Sequence, residues 1–152
     1  FSYELFRLPL KISSMEFKTK IVATEEEYLA CLSIRERVFI KEQKVPREIE
    51  VGSFEKEAIY ALTTRGAIPV GTARWRKTGQ GVKLERFAVL KNERKHGIGT
   101  LLVNFILDKL DPHDHIYLHA QEHVVTFYEK CGFKVVGDRF IEANIPHRKM
   151  IK

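Results

Sequence analysis

The stretch that decides the fold is Leu84-Glu85-Arg86-Phe87-Ala88-Val89-Leu90-Lys91-Asn92-Glu93-Arg94-Lys95-His96-Gly97-Ile98-Gly99-Thr100-Leu101-Leu102. A strand pattern delivers the chain into a charged, glycine-containing turn, and an apolar helix pattern opens directly after it. Glycines at a helix start let the backbone approach a bound group closely, and the free N–H groups of the first turn, with the helix dipole, favour an anion. Arg94 to Thr100 therefore has the physical make-up of a phosphate cradle. Gly97 and Gly99 by themselves equally allow a loop that only turns a corner. Two familiar phosphate loops are excluded: no glycine precedes Lys and then Ser or Thr in the P-loop frame, and Leu102 stands where a dinucleotide fingerprint needs its third glycine.

Outward from this stretch, the chain alternates strand and helix patterns. Downstream, a helix over Gly97 to Leu110 is stopped by Asp111-Pro112. Then come a strand over His115 to Ala120, a helix over Glu122 to Lys130 closed by Gly132 at C′, a strand over Phe133 to Gly137 and a last strand over His147 to Ile151. Upstream, Ala58 to Thr64, Ile68 to Arg76 and Val82 to Leu90 read as three strands. Their connections carry turn chemistry at Arg65-Gly66 and Thr78-Gly79-Gln80-Gly81, so they are expected to be antiparallel. Phe17 to Ala23 reads as a half-buried strand. Thr24 and Glu27 form a capping box for a helix reaching about Phe39, with Tyr28, Leu32, Val38 and Phe39 inward and Glu25, Glu26, Arg35 and Glu36 in water. Lys41 to Glu57 reads as a long loop or a short second helix. The order predicts an α/β fold of the α+β type, a mixed and largely antiparallel central sheet flanked by helices on both faces.

Composition narrows the class. With 152 residues and 44% hydrophobic side chains, the chain is long enough for one core and too short for two ordinary domains. Residues 1–14 read as an upstream or appended extension, because the clean strand pattern starts after Met15, and 15–152 as the single working domain. The two cysteines, Cys31 and Cys131, suggest no disulfide framework, which predicts a reducing, cytoplasmic setting. No apolar run approaches a membrane span. The net charge of +6 suits an anionic ligand or plain solubility, and the chain lacks the aromatic, zinc-finger and basic-helix patterns of nucleic-acid binders. His119 and His123 stand four apart, yet the strand-to-helix junction falls between them and no cysteine completes a set, so no metal is expected. Assembly as a homodimer is left open.

Arg94-x-x-Gly97-x-Gly99 resembles the [QR]-x-x-G-x-[GA] pyrophosphate loop of GNAT acetyltransferases, and Phe127-Tyr128-Glu129-Lys130-Cys131-Gly132-Phe133 resembles the F-Y-x-K-x-G-F segment of the same superfamily. Two further segments are similar to a subgroup of small bacterial GNAT proteins. One is Arg35-x-x-Val38-Phe39-x-x-Glu42-Gln43-x-Val45-Pro46, the other Glu142-Ala143-Asn144-Ile145-Pro146-His147-Arg148-Lys149-Met150. There are two departures. Glu50 is followed by Val51-Gly52-Ser53 where an Asp is common, and Gln121 stands where the superfamily often has Asn.

The resemblance implies the GNAT fold, acetyl-CoA as co-substrate, and transfer of an acetyl group to a primary amine of a small molecule or peptide by direct attack on the thioester. It also leaves open a CoA-binding sensor or binding module with little transferase activity. Acetyl transfer needs an amine to lose a proton, an oxyanion to be stabilised and a thiolate to leave. By resemblance, the backbone of Phe87, Ala88 and Val89 pairs with the pantetheine arm, and the Val89 N–H is the candidate donor to the thioester oxygen. Backbone groups of Lys95, His96, Gly97, Ile98, Gly99 and Thr100 hold the pyrophosphate, Arg94 and Lys95 add charge, and Gln121 and Phe127 complete the cofactor contacts. Tyr128 is the candidate general acid, or a ring packed under the cofactor. Glu85, expected on the same strand face as Phe87, is the candidate to hold or deprotonate the amine, or a salt-bridge partner of Arg86 or Arg74. His119 is a secondary base candidate.

Overall fold

A computed structural model describes residues 17–52 and 54–152. The expectation for residues 1–14 lies outside the described residues. The chain forms strand β1 (Phe17–Ile21) and helix α1 (Glu25–Arg35), which continues as a π-helical stretch over Glu36–Glu42, then the four-residue helix α2 (Arg47–Glu50). Strands β2 (Ile59–Arg65), β3 (Ile68–Thr78) and β4 (Gly81–Val89) follow, then α3 (Ile98–Lys109), β5 (Ile116–Gln121), α4 (Val125–Lys130), β6 (Lys134–Glu142) and β7 (Ile145–Ile151). These elements build one seven-stranded sheet in the order β1-β2-β3-β4-β5-β7-β6. Every neighbouring pair is antiparallel except β4 and β5.

Local chemistry accounts for the element ends. Thr24 Oγ1 accepts from the Glu27 N–H at 3.1 Å while Glu27 Oε1 accepts from the Thr24 N–H at 3.1 Å, so the expected capping box opens α1. The helix does not stop at Phe39. Widened turns, with the Gln43 N–H reaching the Val38 carbonyl at 3.0 Å, carry it to Glu42. Such π turns rotate successive side chains off the α-helical stripe, and here they turn Val38, Phe39 and Glu42 toward the functional cavity.

The sheet is covered on both faces. On one, α1 contributes Cys31 and Ile34 to a cluster with Tyr60, Leu62, Ala88 and Leu90. On the other, α3 sinks Ile98, Leu102, Val103 and Ile106 against Ala73, Trp75, Leu84 and Leu118. Each such fully buried side chain contributes about 1.5–3 kcal/mol of transfer free energy, so α3 is fixed by its sheet contacts more than by helix propensity.

Two sequence expectations change. Arg35, expected in water, is 0% exposed, because its guanidinium is enclosed by Glu50 and Glu55. The final strands are longer than expected and form a β6–β7 hairpin whose Ala143 and Asn144 adopt φ of 51° and 61°. A two-residue turn with both central residues at positive φ matches strand twist. Asn is a common resident of such a turn and Ala an uncommon one, which hid the hairpin from a composition-based reading.

Candidate active site

The site arises where β4 and β5 part. They run together over Val82↔Ile116, Lys83↔Tyr117 and Leu84↔Leu118, and the ladder ends there. The cause is a bulge in β4. Arg74 on β3 faces Glu85 and Thr72 faces Ala88, so an extra residue is accommodated on β4, and Arg86 takes φ 57°. One extra residue bends the strand and increases its twist, turning β4 away from its parallel neighbour. A cavity of about 970 Å³ occupies the split.

The bulge also reverses the side-chain alternation. Glu85 stays on the Arg74 side of the sheet, bonded to the Arg74 Nε at 2.7 Å, whereas Phe87 packs into the core on the α3 side. The expectation that Glu85 and Phe87 share a face is thereby corrected, since strict period-2 counting has no place for an inserted residue.

On the α3 side lies the glycine-containing loop. Lys95 and Gly97 both adopt left-handed backbone, at φ 70° and 79°. A left-handed residue beside a right-handed one, as Gly97 stands before the helical Ile98, turns successive N–H groups to one side, the form of an anion-binding concavity. Gly97 is the N-cap of α3, no side chain caps that end, and a Cβ placed on Gly97 would meet nothing within 4 Å. The space beyond the loop is open and lined by Lys95, Gly97, Gly99 and Thr100, with the His96 ring edging Phe17 at 6.5 Å on the sheet's first strand. Gly99 has a different reason to be glycine: a Cβ there would sit 3.0 Å from Cζ of Phe127, whose ring lies over it. Ile98 points into the core and contributes only backbone to the loop.

The Arg94 guanidinium is paired within the chain. Its Nε donates to the Val89 carbonyl at 2.9 Å and its two Nη atoms clasp the Glu42 carboxylate at 2.7 and 2.8 Å, tying the π-helical stretch to the end of β4. The hydrogen bond from Arg94 holds the Glu42 carboxyl below its ordinary pKa. The Leu90 N–H pairs with the Val70 carbonyl on β3 at 3.0 Å, so Val89, one residue earlier, turns its N–H and C=O toward the split. Arg94 takes the carbonyl and leaves the N–H facing the cavity. Ala88 is buried under α1. Gln121 exchanges two amide hydrogen bonds with Gln43, at 2.9 and 2.8 Å, bridging β5 to the segment after α1. Gln43 stood in the sequence only within the Arg35–Pro46 segment, where nothing marks a pairing with a residue 78 positions on.

Tyr128 closes the floor of the split. Its ring is met edge-on by Phe87, Phe127 and Phe133 with centroids 5.7, 5.0 and 6.2 Å away, and it lines the cavity. Among the described residues its hydroxyl has no hydrogen-bond partner. Burial pushes its pKa above the ordinary phenol range, with the nearby Cys131 thiol adding to the effect.

The α1 side of the split is lined by charge. Glu85 Oε2 lies 2.7 Å from the Arg74 Nε and 3.0 Å from the Arg76 Nε, while Oε1 has Lys83 Nζ at 3.5 Å. Burial pushes this carboxyl up, but the Arg74, Arg76 and Lys83 charges more than reverse it, and its pKa lies below the ordinary value. Behind it, Arg74 also binds Glu55 at 2.7 Å, and Arg35 binds both Glu55 and Glu50. Glu50 is thus a core ion-pair partner of Arg35 and Arg86.

Burial alone pushes Glu55 up, but Arg35 and the hydroxyls of Tyr28 and Tyr60 bring its pKa from 4.5 to about 2. A carboxyl depressed in the folded state contributes stability that is present above its unfolded value and lost as pH falls toward its folded value. The melting temperature is therefore expected to drop between about pH 4.5 and about pH 2, and Glu55→Gln is expected to flatten that part of the profile in a calorimetric pH series. A mutant profile as steep as the parent's would remove Glu55 from the acid response.

Across the split, on β5, His119 lies just past the last β4–β5 pair, with its Nδ1 3.2 Å from Glu142 Oε1. His147 Nε2 is 3.7 Å from the other oxygen of Glu142. No group of three or more His, Cys, Asp or Glu among the described residues is placed to hold a metal ion.

Residues 20–152 match the family model described as the acetyltransferase (GNAT) domain. The chain belongs to the GNAT acetyltransferase family. It is 39% identical over 140 residues to the uncharacterized N-acetyltransferase YjcF of Bacillus subtilis (strain 168), covering 89% of this chain and 99% of that one. An acyl-CoA N-acyltransferase from Pseudomonas aeruginosa superposes with a TM-score of 0.78 at 26% identity, over 90% of this chain and 97% of that one. Escherichia coli ElaA shares the fold, with a TM-score of 0.79 at 24% identity and 90% and 98% coverage. Like its GNAT relatives, this chain is an N-acetyltransferase, and the family uses acetyl-CoA.

The GNAT co-substrate fits what the chain presents. A pantothenyl diphosphate arm needs an anion cradle, a strand edge with free backbone groups and an apolar wall. The loop at Lys95–Gly97, the outward N–H of Val89 and the ring of Phe127 are of those kinds.

Proposed function

We propose that this chain is a cytoplasmic N-acetyltransferase that moves the acetyl group of acetyl-CoA to a primary amine of a small molecule or peptide by direct attack, working as a single domain over residues 15–152. The observation that carries this reading is the outward-facing N–H of Val89 in the split, flanked by the uncapped start of α3 on one side and by Tyr128 below. When bound, acetyl-CoA supplies the acetyl group as an activated thioester.

The chain's own residues would do the rest. Backbone N–H groups of Lys95 to Thr100 hold the pyrophosphate through the loop concavity and the dipole of α3. Arg94 acts by shaping the loop, since its guanidinium is already paired. Phe87, Ala88 and Val89 supply the strand edge, with the Val89 N–H donating where negative charge develops. Phe127 walls the arm above Gly99, and Gln121 keeps the far rim closed through Gln43. Tyr128, whose raised pKa keeps its proton across the neutral range, donates it to the departing thiolate. Glu85 holds the acceptor through Oε1, the oxygen not bonded to Arg74 or Arg76.

Two measurements test the reading. Acetyl-CoA at about 100-fold excess over Kd is expected to raise the melting temperature by roughly 5–10 °C, and Gly97→Val to abolish that shift, because a Cβ and its methyls enter the open space at a left-handed position. An unchanged shift in Gly97→Val would place the cradle elsewhere. Thiol release with a panel of primary amines then separates the enzyme from a module that holds CoA without transfer: the module would show the thermal shift and release no thiol.

A further inference from the structure

We propose, resting on the transferase reading above, that His119 is the group that takes the proton from the acceptor ammonium and that Glu142 is the positioning residue that fixes its tautomer. Glu85 is poorly suited to this step, because three cations lie against its carboxylate and hold its pKa down. His119 stands across the split on the same sheet face: Tyr117 pairs with Lys83 on that face, and His119 and Glu85 are each two residues further along. Its side chain is 24% exposed and lines the cavity.

The tautomer follows from donor and acceptor chemistry. The hydrogen bond from His119, with smaller contributions from nearby positive charge, brings the Glu142 pKa to about 2, so Glu142 is an anion that can only accept. Nδ1 of His119 therefore carries the hydrogen in that contact, and Nε2, which has no hydrogen-bond partner among the described residues, keeps a lone pair in the neutral ring. The β6–β7 hairpin makes this arrangement possible. Its turn at Ala143-Asn144 places Glu142 beside His119, and the ring of Phe140 packs edge-on to His119 at 5.0 Å and stacks on His147 at 5.8 Å. His147 donates its Nδ1–H to the Ile145 carbonyl at 2.7 Å and backs Glu142 from the other side.

The other charged or titratable groups around His119 are Tyr117 on β5, Lys83 and Glu85 on β4, and Lys149, its register partner on β7. Lys149 is drawn off to Gln80 and the Tyr117 ring. In the step itself an ammonium N–H bond breaks, its electron pair stays on nitrogen as the attacking pair, and the proton ends on Nε2 and leaves to solvent.

The test uses the full chain with acetyl-CoA and three probe amines: spermidine, 2-phenylethylamine and glycinamide. For the parent, kcat/KM for the amine is expected to fall on the acid side at a pH well below that at which the free amine loses its proton. His119→Gln is expected to lose roughly 10²- to 10⁴-fold near pH 7.5. Its limb should move up to that of the free amine, about 10 for an alkylammonium, so that the gap closes at high pH. Glu142→Gln is expected to lose less in rate and to shift the ring of His119 away from the Nδ1–H form in its ¹⁵N spectrum, a readout that needs no turnover. Both variants should keep the parent's thermal shift with acetyl-CoA. A parent that transfers to none of the probes overturns the transferase reading and this inference with it. A parent that transfers while His119→Gln keeps its rate and acid limb overturns the inference alone, as does a His119 ring found in the Nε2–H form in the folded parent.

Discussion

Tyr128→Phe is expected to leave the fold and acetyl-CoA binding as they are and to reduce turnover by roughly 10²- to 10⁴-fold, the range of a positioned proton donor. The two expectations come from different parts of the same side chain. The ring, packed among Phe87, Phe127 and Phe133, survives the substitution, so its apolar burial is kept. The hydroxyl has no hydrogen-bond partner among the described residues, so removing it strands no donor or acceptor and stability should move by less than about 1 kcal/mol. The loss should fall on kcat, because the proton is needed only as the thiolate departs. Because burial raises the pKa of the phenol, the parent's rate should show no loss of this proton up to pH 9. A Tyr128→Phe enzyme with full turnover from pH 6 to 9 would reduce Tyr128 to packing.

Arg35→Met is expected to cost about 3–5 kcal/mol of stability, the usual effect of removing one partner of a buried ion pair, and to lower the melting temperature by roughly 10–15 °C. Arg35 is fully buried and donates to Glu50 Oε1 and Oε2, to the Glu50 carbonyl and to both oxygens of Glu55. Without it Glu50 retains Arg86 and Glu55 retains Arg74, but each carboxylate loses its best-enclosed contact. The double variant Arg35→Met/Glu50→Gln should cost clearly less than the two single costs added, because the second change removes a buried charge that the first deprived of its most enclosed partner. Additive costs would show that the two side chains do not act as a pair. The same network reaches the site, since Arg74 links Glu55 to Glu85.

The elements around the glycine-containing loop were legible because their signals are local. A strand, a loop with two glycines and an apolar helix lie within one short stretch, and backbone geometry there follows from residues next to one another. Even so, the two glycines turned out to serve different ends. Gly97 answers to its own φ, a local property, and Gly99 to Phe127, a contact with another helix. Nothing in the sequence signalled that Arg94 would meet Glu42.

The charged side of the split was much less legible. Arg35 read as a solvent-facing charge because a helical stripe assigns charge to water, and only its enclosure by Glu50 and Glu55 shows why it is inside. Glu142 was visible only within a motif, and its meeting with His119 depends on a hairpin turn made with an atypical Ala143.

The sequence by itself determined the element order, the capping box at Thr24, the apolar face of α3 and the glycine-containing turn that opens it, all of which rest on periodicity and neighbour chemistry within a few residues. Only the tertiary structure decided where β4 and β5 part, on which face Glu85 falls and which histidine meets a carboxylate. Those outcomes turn on one inserted residue at Arg86 and on pairings between strands far apart in the chain, and a strand's alternation carries no record of either until its neighbours are in register.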